Sequence, residues 1–472
     1  MTPLWLWTAA EADAATAGRS SRDWSARGVS IDSRTLAAGD LFVALAGPRF
    51  DGHDYVVQAL AKGAAAALVS RVPDGVAGAA PLLLVDDTQA ALEALGRAAR
   101  QRSAATVVGV TGSVGKTGTK EALRRAFERQ GRTVASAGSL NNQWGVPLSL
   151  ARMPRETEFG VFEMGMNHPG EIDALTRLVR PDVAVITTIE PAHLGFFDSV
   201  EAIADAKAEI FNAMGPRGAA VLNRDNPHFQ RLAAAAAARG IVRVLGFGVH
   251  PDAVVRLIDC HLHATASAVT ASVMGEIVDY CVASPGRHWV MNSLAVLATV
   301  KAAGGDVGAA AAALGAIEPM EGRGRRHKIK VRDGTAELID ESYNASPAAM
   351  RAALAVLGTN APDKGGRRIA VLGDMLELGE ASRRLHAELA ASIADAGIDL
   401  VFTVGREMRA LHDALPKKRR GVHTETAAEM AELLPERLGA GDIVTVKGSY
   451  GTRMREVVAR LLSAEAAVAV KG

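Results

Sequence analysis

The stretch with the clearest chemical meaning is TGSVGKTGTK, at residues 111–120. An apolar, β-branched segment precedes it at residues 106–110, and apolar residues at helical spacing follow it. A strand, a glycine-rich loop and a helix in this order form the setting of a phosphate-binding loop. Gly112 and Gly115 allow backbone N–H groups to turn towards an anion, and the helix adds the positive end of its dipole. The segment therefore predicts a nucleoside triphosphate site.

Two side chains of this loop are of the types that bind the phosphates and the metal ion of a nucleoside triphosphate. Lys116 is placed to neutralise the outer phosphates, and the hydroxyl of Thr117 is placed to bind Mg²⁺. Val110 stands where the full phosphate-loop pattern has glycine. An ordinary glycine-rich turn is the alternative, but the flanking strand and helix favour the phosphate site. The residues predicted to contact ATP here are Thr111, Gly112, Ser113, Val114, Gly115, Lys116, Thr117 and Gly118.

Three further candidates follow the loop at the ends of predicted elements. Glu163 ends a strand, which places its carboxylate near the opening of a phosphate loop on a neighbouring parallel strand. His193 lies in the loop after the next predicted strand, 182–188, and Lys207 lies on a helix predicted from 199 to about 214. Each of these residues alone is of a kind usually found on the surface. Their order after a phosphate loop is what points to function.

The last third of the chain alternates strands and helices again. Strands are predicted at 336–339, 368–372, 400–404 and 442–446, and helices at 347–357, 382–396, 407–415 and 427–434. This order is typical of a doubly wound parallel sheet. Polar loops follow three of the strands, at 340–346, 373–379 and 447–453. Because ligands bind at the carboxyl ends of parallel strands, we expect these three loops to face one cleft.

The elements that position these residues predict an α/β chain of three domains. Residues 1–88 predict a small α/β domain, in which Ser33 and Arg34 at a strand end could bind an anionic substrate or form an ordinary turn. Residues 89–318 predict a central nucleotide domain with a mostly parallel sheet. Residues 319–472 predict a Rossmann-like domain.

Length and composition limit the class of protein. The chain has 472 residues, enough for about two to four domains, and its 53 basic and 52 acidic residues nearly cancel. Basic runs at 321–330 and 417–420 lack interleaved aromatic residues, so we expect no nucleic-acid partner. Two cysteines, Cys260 and Cys281, fit a reducing cytoplasm. The N-terminus lacks a signal-peptide pattern and no apolar run is long enough to span a bilayer, so we expect no membrane insertion.

Longer stretches resemble the Mur ligases, the enzymes that build the peptide of peptidoglycan. In the central domain these are TGSVGKT from Thr111, NN at 141–142 before GVP, EMGMNHPGEI from Glu163, AHLGFF from Ala192 and AKAEIF from Ala206. The resemblance continues in PGRHWVMNSLA from Pro285, EGRGR from Glu321, DESYNASP from Asp340, VLGDMLELG from Val371 and VKGSYGTR from Val446. Residues 30–55 of the first domain share it as well. It covers essentially the whole chain, and it implies a UDP-substrate domain, an ATP-binding domain and a ligase domain.

Within this family, the chain resembles the member that adds D-alanyl-D-alanine to UDP-N-acetylmuramoyl-tripeptide. The resemblance implies that ATP phosphorylates the terminal carboxylate of the tripeptide and that the amine of the dipeptide attacks the acyl phosphate. Phosphate then leaves from a tetrahedral intermediate. The implied cofactors are ATP and two Mg²⁺ ions, and the implied partners are the two substrates. We expect a cytoplasmic monomer.

The resemblance also implies roles for single residues. Thr117 and Glu163 would hold one Mg²⁺, and His193 with a second metal would lie towards the acceptor carboxylate. The lysine matching Lys207 is carbamylated in the family, which turns a cation into an anion able to ligate Mg²⁺. The implied catalytic residues are Lys116, Glu163, His193 and Lys207. Further implied ATP contacts are Asn292, Asp340 and either Arg323 or Arg325, with Arg323 favoured. The implied substrate contacts are Ser33, Arg34, Asn141, Asn142, Asn344, Lys447 and Ser449.

Other functions remain open at this stage. The diaminopimelate- or lysine-adding ligase shares the first-domain pattern, but it usually has D-N-P-R in its third domain. Here the nearest match is DNPH at 225–228, in the central domain and without the arginine. From a different class, a phosphate-loop ATPase that acts through protein partners is the alternative. The sequence does not specify whether the third residue of the tripeptide is meso-diaminopimelate or L-lysine.

Overall fold

The computed structural model describes residues 5–48, 50–192 and 194–469. Within these ranges the chain forms a five-stranded, a nine-stranded and a six-stranded sheet, with helices packed on their faces. We call them the N-terminal, central and C-terminal sheets, and the regions built on them the corresponding parts of the chain. No helix in the described ranges has both the length and the apolar content needed to cross a bilayer. His193, a predicted catalytic residue, lies outside the described residues.

The N-terminal sheet is mostly parallel. Its strands lie in the order Arg19–Ser20, Leu82–Leu84, Ala66–Val69, Asp40–Val43 and Gly28–Ser30. The first pair is antiparallel and the other three are parallel. Short antiparallel pairs join Trp7–Thr8 to Ser25–Ala26 and Ala46–Gly47 to Phe50–Asp51. The helices of this part are Ala9–Thr16, Val56–Ala61 and Thr88–Gln101. The sheet agrees with the predicted small α/β fold.

The central sheet is parallel over seven strands and ends in an antiparallel ribbon. The order is Thr133–Ala135, Phe159–Glu163, Thr106–Thr111, Val183–Ile186, Ala219–Asn223, Arg243–Gly248, Val255–Leu262, Ser267–Val273 and Glu276–Val282. The helices are Lys116–Glu128, Gly145–Ala151, Glu171–Val179, Val200–Ala208, Phe229–Ala238, Arg287–Ala302 and Val307–Leu314. The strand Thr106–Thr111 lies between two strands that come after it in the chain, Phe159–Glu163 and Val183–Ile186, so the order of the strands reverses here. Such a switch point opens a crevice at the carboxyl ends of the strands, where the phosphate loop begins.

The C-terminal sheet contains the four predicted strands and two strands that were not predicted, one at each edge. Its order is Arg325–Val331, Gly334–Glu341, Ile443–Lys447, Arg368–Gly373, Leu400–Val404 and Arg420–Thr424. The helices are Pro347–Gly358, Ser382–Asp395, Arg409–Ala414, Ala427–Leu433 and Arg455–Ala469. The first two strands pair antiparallel, and the other pairs are parallel. The basic run at 321–330 thus supplies an edge strand, where lysine and arginine side chains discourage pairing with other chains.

The helix Thr88–Gln101 connects the N-terminal and central parts. It packs against Ala9–Thr16 on one side and Gly145–Ala151 on the other. Its buried apolar residues share one core with both helices. Because this helix serves both parts, the boundary placed at residue 88 stays a prediction, as do the other domain limits.

Candidate active site

The phosphate loop requires glycine at two positions. Gly112 and Gly115 have φ angles of +143° and +86°, which side chains rarely tolerate. A Cβ on Gly112 would lie 2.0 Å from Thr187 Oγ1, and one on Gly115 would lie 2.9 Å from Asn292 Oδ1. The predicted adenine-side residue Asn292 therefore lies directly against the loop. Val110, the departure from the pattern, is a buried residue of the preceding strand and leaves the turn unaffected.

The loop is anchored to the end of the neighbouring strand, Val183–Ile186, through residues that the sequence did not single out. Thr187 Oγ1 donates a hydrogen bond of 2.5 Å to the Val114 carbonyl. Ser113 Oγ donates to the Glu190 carbonyl and accepts from the Glu190 N–H, both at 3.0 Å. Burial raises the pKa of the Glu190 carboxyl. These contacts hold the loop backbone in its turned form before any anion binds.

Lys116 is the cation of the loop. Its Nζ donates to the carbonyls of Gly112 at 2.8 Å and Ser113 at 3.4 Å. Burial away from water lowers the pKa of Lys116, and the positive charge of Arg323 lowers this pKa further. The nearby Glu163 carboxylate raises it in part. Within the described residues, its hydrogen bonds go only to loop carbonyls. Its charge is therefore available to an anion in the crevice.

Glu163 lies beside the loop, as its strand position predicts. Its strand pairs in parallel with the loop strand, with Glu163 opposite Val110. The side chain is 1% exposed, and Oε1 accepts a 2.8 Å hydrogen bond from Asn141 Nδ2. Oε2 is buried without a hydrogen-bond partner among the described residues. An unpartnered buried carboxylate oxygen is costly, and it is the kind of ligand that Mg²⁺ prefers.

A metal held only by side chains is not favoured here. In the described part of the chain, no three His, Cys, Asp or Glu side chains are grouped to hold an ion. Mg²⁺ usually takes one or two carboxylates and completes its octahedron with water and phosphate oxygens. Glu163 Oε2 fits such a partial set, and so does Thr117, which is buried in the first turn of the helix after the loop.

Lys207 is also part of this cluster. It lies in the last turn of Val200–Ala208 and is 1% exposed. The helix predicted to reach residue 214 ends earlier and continues as the 3₁₀ turn Glu209–Phe211. Burial, followed by repulsion from Lys116, lowers the pKa of Lys207 well below the ordinary lysine value. No carboxylate among the described residues contributes to this shift, so within that part of the chain Lys207 lacks the ion-pair partner that a buried ammonium normally has.

The two predicted asparagines have different local roles. Asn141 donates to Glu163 and fixes that carboxylate in place. Asn142 Oδ1 accepts from the backbone N–H groups of Trp144, at 3.2 Å, and Gly145, at 3.0 Å. This contact organises the start of the helix Gly145–Ala151. The predicted substrate contacts of both residues stay predictions.

The C-terminal part brings one arginine close enough to Lys116 of the phosphate loop for its charge to lower the pKa of that lysine. Arg323 Nη2 donates to Ser139 Oγ of the central part at 3.4 Å, and its guanidinium stacks 4.3 Å from the ring centroid of Tyr343. Arg325 instead pairs with Glu321 at 3.0 Å on the surface. Of the two arginines that the sequence left open, Arg323 therefore lies nearer the loop.

The three predicted loops of the C-terminal part meet. Lys447 Nζ donates to Glu341 Oε2 and to the Asn344 carbonyl, both at 3.0 Å. The Ser449 N–H donates to the Asp374 carbonyl at 3.0 Å. Hydrogen bonds thus join all three loops at the carboxyl ends of their strands, and the predicted cleft between them stays a prediction. Lys447 and Ser449 are buried and serve this junction.

Asp340 uses both carboxylate oxygens within the chain. Oδ2 accepts from the Gly322 N–H at 2.8 Å. Oδ1 accepts from the Ser342 N–H at 3.0 Å and from its hydroxyl at 2.6 Å. The residue is 5% exposed. Asp340 thereby closes the glycine turn that carries Arg323, and its predicted contact with the ribose stays a prediction.

The predicted substrate residues of the N-terminal part lie apart from this cluster. Ser33 Oγ donates to Gln58 Oε1 at 3.1 Å, and the Ser33 carbonyl accepts from Lys62 Nζ at 2.7 Å. Arg34 is exposed and forms a two-pronged pair with Asp32, which lowers the pKa of that carboxyl. All of these partners belong to the N-terminal part.

Three family models match the chain in succession. The model described as Mur ligase family, catalytic domain, matches residues 25–102. The Mur ligase middle domain matches residues 110–300, and the Mur ligase, glutamate ligase domain, matches residues 324–450. The three matches correspond to the three large sheets in order.

Similar proteins extend over nearly the whole chain. A relative from Rickettsia prowazekii (strain Madrid E) is 34% identical and covers 91% of this chain and 94% of its own length. A relative from Escherichia coli (strain K12) is 36% identical and covers 92% of this chain and 93% of its own length. Both are named UDP-N-acetylmuramoyl-tripeptide–D-alanyl-D-alanine ligase.

Solved structures agree with these matches. MurF from Acinetobacter baumannii superimposes with a TM-score of 0.83 at 30% identity, over 97% of this chain and 99% of that one. MurF from Thermotoga maritima, solved in complex with ADP, superimposes with a TM-score of 0.75 at 28% identity. The match covers 93% of this chain and 97% of that one. From its domain matches, relatives and fold, the chain belongs to the Mur ligase family.

Proposed function

We propose that this chain is the ATP-dependent ligase that joins D-alanyl-D-alanine to the terminal carboxylate of UDP-N-acetylmuramoyl-tripeptide, in the cytoplasmic synthesis of peptidoglycan precursors. The names of its full-length relatives supply the two substrates. One observation carries the reaction class. A phosphate loop with an available lysine lies beside a buried carboxylate, one of whose oxygens has no hydrogen-bond partner among the described residues, and an arginine from another part of the chain is close enough to that lysine to lower its pKa.

The chemistry has an electrostatic problem that these residues address. A phosphoryl group must reach a carboxylate, and the two anions repel each other. Lys116 and Arg323 are fixed cations on the side where charge accumulates, and they act by position before the reaction begins. Glu163 and Thr117 would hold Mg²⁺, which supplies further neutralisation of the phosphates when it is bound. The dipeptide amine then attacks the acyl phosphate carbonyl, and phosphate leaves.

Lys207 enters this proposal as a carbamate. An amine reacts with CO₂ only when it is unprotonated, and it forms a carbamate anion with release of one proton. Burial and Lys116 lower the pKa of Lys207, and this favours the unprotonated amine near neutral pH. The product is an anion beside Lys116, so repulsion becomes attraction. The carbamate oxygens would also suit Mg²⁺.

The remaining assignments belong to the same proposal. His193 would act with a second Mg²⁺ near the acceptor carboxylate. Asn292 would contact the adenine side of ATP, since it lies against Gly115. Ser33 and Arg34 would bind the UDP group.

The test incubates the purified protein with ATP and Mg²⁺ and offers three acceptors in turn: the UDP-dipeptide, the meso-diaminopimelate tripeptide and the L-lysine tripeptide. Each acceptor is combined with a panel of amino acids and dipeptides. We expect phosphate release that needs both a tripeptide and D-alanyl-D-alanine. Release without any second substrate would indicate a phosphate-loop ATPase. Addition of diaminopimelate or lysine to the UDP-dipeptide would indicate another Mur ligase. Either result would contradict the proposal.

A further inference from the structure

Lys120 is fully buried about one turn after Lys116, on the helix that follows the phosphate loop. A lysine ammonium has three N–H donors and no acceptor. Its Nζ donates to Glu121 Oε1 at 2.5 Å, to the Ser136 carbonyl at 2.7 Å and to the Gly138 carbonyl at 3.0 Å. All three donors of Lys120 are therefore used inside the chain. One of them meets a carboxylate that balances the charge, and the other two meet a single loop.

That loop is the segment 136–141, which follows the edge strand Thr133–Ala135 of the central sheet. Ser136 Oγ accepts a 3.1 Å hydrogen bond from the Glu163 N–H. Asn141 Nδ2 donates a 2.8 Å hydrogen bond to Glu163 Oε1. The segment thus holds Glu163 by its backbone and by its carboxylate.

The bonds to Lys120 fix this segment relative to the phosphate loop. Residues 136–141 form neither helix nor strand, so their carbonyls need donors from elsewhere in the chain or from water. Lys120 supplies two such donors from the helix that also begins with Lys116. The distance between the phosphate loop and Glu163 is therefore set by Lys120 at one end of the segment and by Asn141 at the other.

A carboxylate that ligates a metal has to be held within a fraction of an ångström, and the groups that hold it strongly affect metal affinity. Glu163 Oε2 is buried without a hydrogen-bond partner among the described residues, so its direction depends on what holds Oε1. We propose that Lys120 is a positioning residue for the ligase reaction: through Asn141 it keeps the Glu163 carboxylate in place for Mg²⁺ bound to the phosphates of ATP. This inference rests on the proposed function.

The experiment measures metal binding directly, with Mn²⁺ as the probe. Electron paramagnetic resonance reports the free Mn²⁺ during a titration into full-length protein that carries an equimolar non-hydrolysable ATP analogue. We expect Lys120→Met to weaken Mn²⁺ binding by about tenfold, as for other residues that orient a metal ligand. The affinity for the analogue without metal should stay near the wild-type value, because Lys116 and the glycines of the loop are unchanged.

Arg100→Met is the matched control. Arg100 also lies on a helix, its side chain is largely buried, and it donates to two loop carbonyls, those of Val179 at 3.0 Å and Arg180 at 3.1 Å. It also contacts Asp182, which precedes a strand of the central sheet and so lies at the end of that sheet away from the phosphate loop. Arg100→Met should lower the melting temperature, as Lys120→Met does, but leave Mn²⁺ affinity unchanged.

A double variant separates positioning from general damage. If Lys120 acts through Asn141, then Lys120→Met with Asn141→Ala should bind Mn²⁺ no more weakly than Asn141→Ala alone. Additive losses, wild-type Mn²⁺ affinity in the Lys120 variant, or an equal loss in Arg100→Met would each overturn the inference.

Lys120→Gln replaces Lys120→Met if the methionine variant does not fold. Glutamine keeps an N–H donor on a shorter side chain, so its loss of Mn²⁺ affinity should be smaller but in the same direction. These titrations need no tripeptide. A wild-type protein without tripeptide-dependent activity would therefore contradict the proposed function, whereas the Mn²⁺ affinities would still decide the role of Lys120.

Discussion

Two buried lysines of the molecule have opposite surroundings: Lys447 ends a strand of the C-terminal sheet, and Lys207 lies in the last turn of a helix of the central part. In the C-terminal part, Lys447 is paired with Glu341 and with a carbonyl. In the central part, Lys207 is equally buried, but repulsion from Lys116 lowers its pKa further instead of a carboxylate raising it. An ion pair satisfied within the chain serves the fold. A buried cation without a carboxylate is costly, and the proposed carbamate would supply the missing negative charge.

The largest expected effect is at the phosphate loop. Lys116→Ala should lower ligase turnover by on the order of a hundredfold or more, since removal of a charge that stabilises a transferring phosphoryl group costs about 3 kcal/mol. The fold should persist because Lys116 bonds only to loop carbonyls among the described residues. Phosphate release and thermal denaturation measure the two effects. The exposed Lys330→Ala is the control, and near-normal turnover of Lys116→Ala would end the assignment of this loop.

Lys207→Ala is the second prediction and the direct test of the missing negative charge. If Lys207 works as a carbamate, activity should fall by roughly a hundredfold, as for other lost electrostatic groups in a site. Acetate or formate should partly restore it by occupying the vacated anionic position. A lysine that works as a cation would be rescued by small amines and not by acids. Ligase rates in buffers with each additive distinguish the two, and full activity without additive would refute both roles.

The third prediction breaks the satisfied pair. Glu341→Gln leaves Lys447 buried without its carboxylate, and we expect the free energy of unfolding of the C-terminal part to fall by about 2–3 kcal/mol. The partial exposure of Glu341 places the loss below the roughly 3–5 kcal/mol that is typical of a fully buried pair. Glu388→Gln, which removes the exposed pair with Arg384, should cost less than about 0.5 kcal/mol. Denaturant unfolding of both variants measures the difference. Equal losses would show that the Lys447 pair is not special.

Local patterns were sufficient to predict which residues lie together in the central site. The phosphate loop, the strand end at Glu163 and the meeting of the three C-terminal loops follow from short segments with a fixed relation to a strand. The anchor formed by Thr187 and Glu190 joins residues far apart in the chain, and no periodicity marks it. The strand Val255–Leu262 was missed because a bulge after Leu257 interrupts its alternation.

The choice between Arg323 and Arg325 shows where sequence patterns reach their limit. Each arginine directly follows a glycine of the same short turn, Arg323 after Gly322 and Arg325 after Gly324. Positive φ angles at Gly322 and Gly324 send Arg323 towards Tyr343, whereas Arg325 begins an edge strand and faces solvent. The deciding factor is the direction of the backbone, and only the structure contains it.

The smallest expected effect is the pH dependence of stability at Lys207. Its pKa in the folded chain is lowered from 10.5, so between the lowered value and 10.5 the unfolded chain binds more protons, and stability rises with pH. Below the lowered value the whole penalty of the buried ammonium is present. Lys207→Met should therefore melt at a higher temperature than wild type at neutral pH in CO₂-free buffer, and this difference in melting temperature should shrink as the pH approaches 10.5.

Lys120 is the matched control, because it is fully buried but bonded to Glu121 and to two carbonyls. Lys120→Met should therefore lower the melting temperature at every pH. Thermal denaturation from about pH 6 to 10 measures both, and a Lys207→Met variant that melts lower than wild type at neutral pH would show that Lys207 already has its counter-charge within the chain.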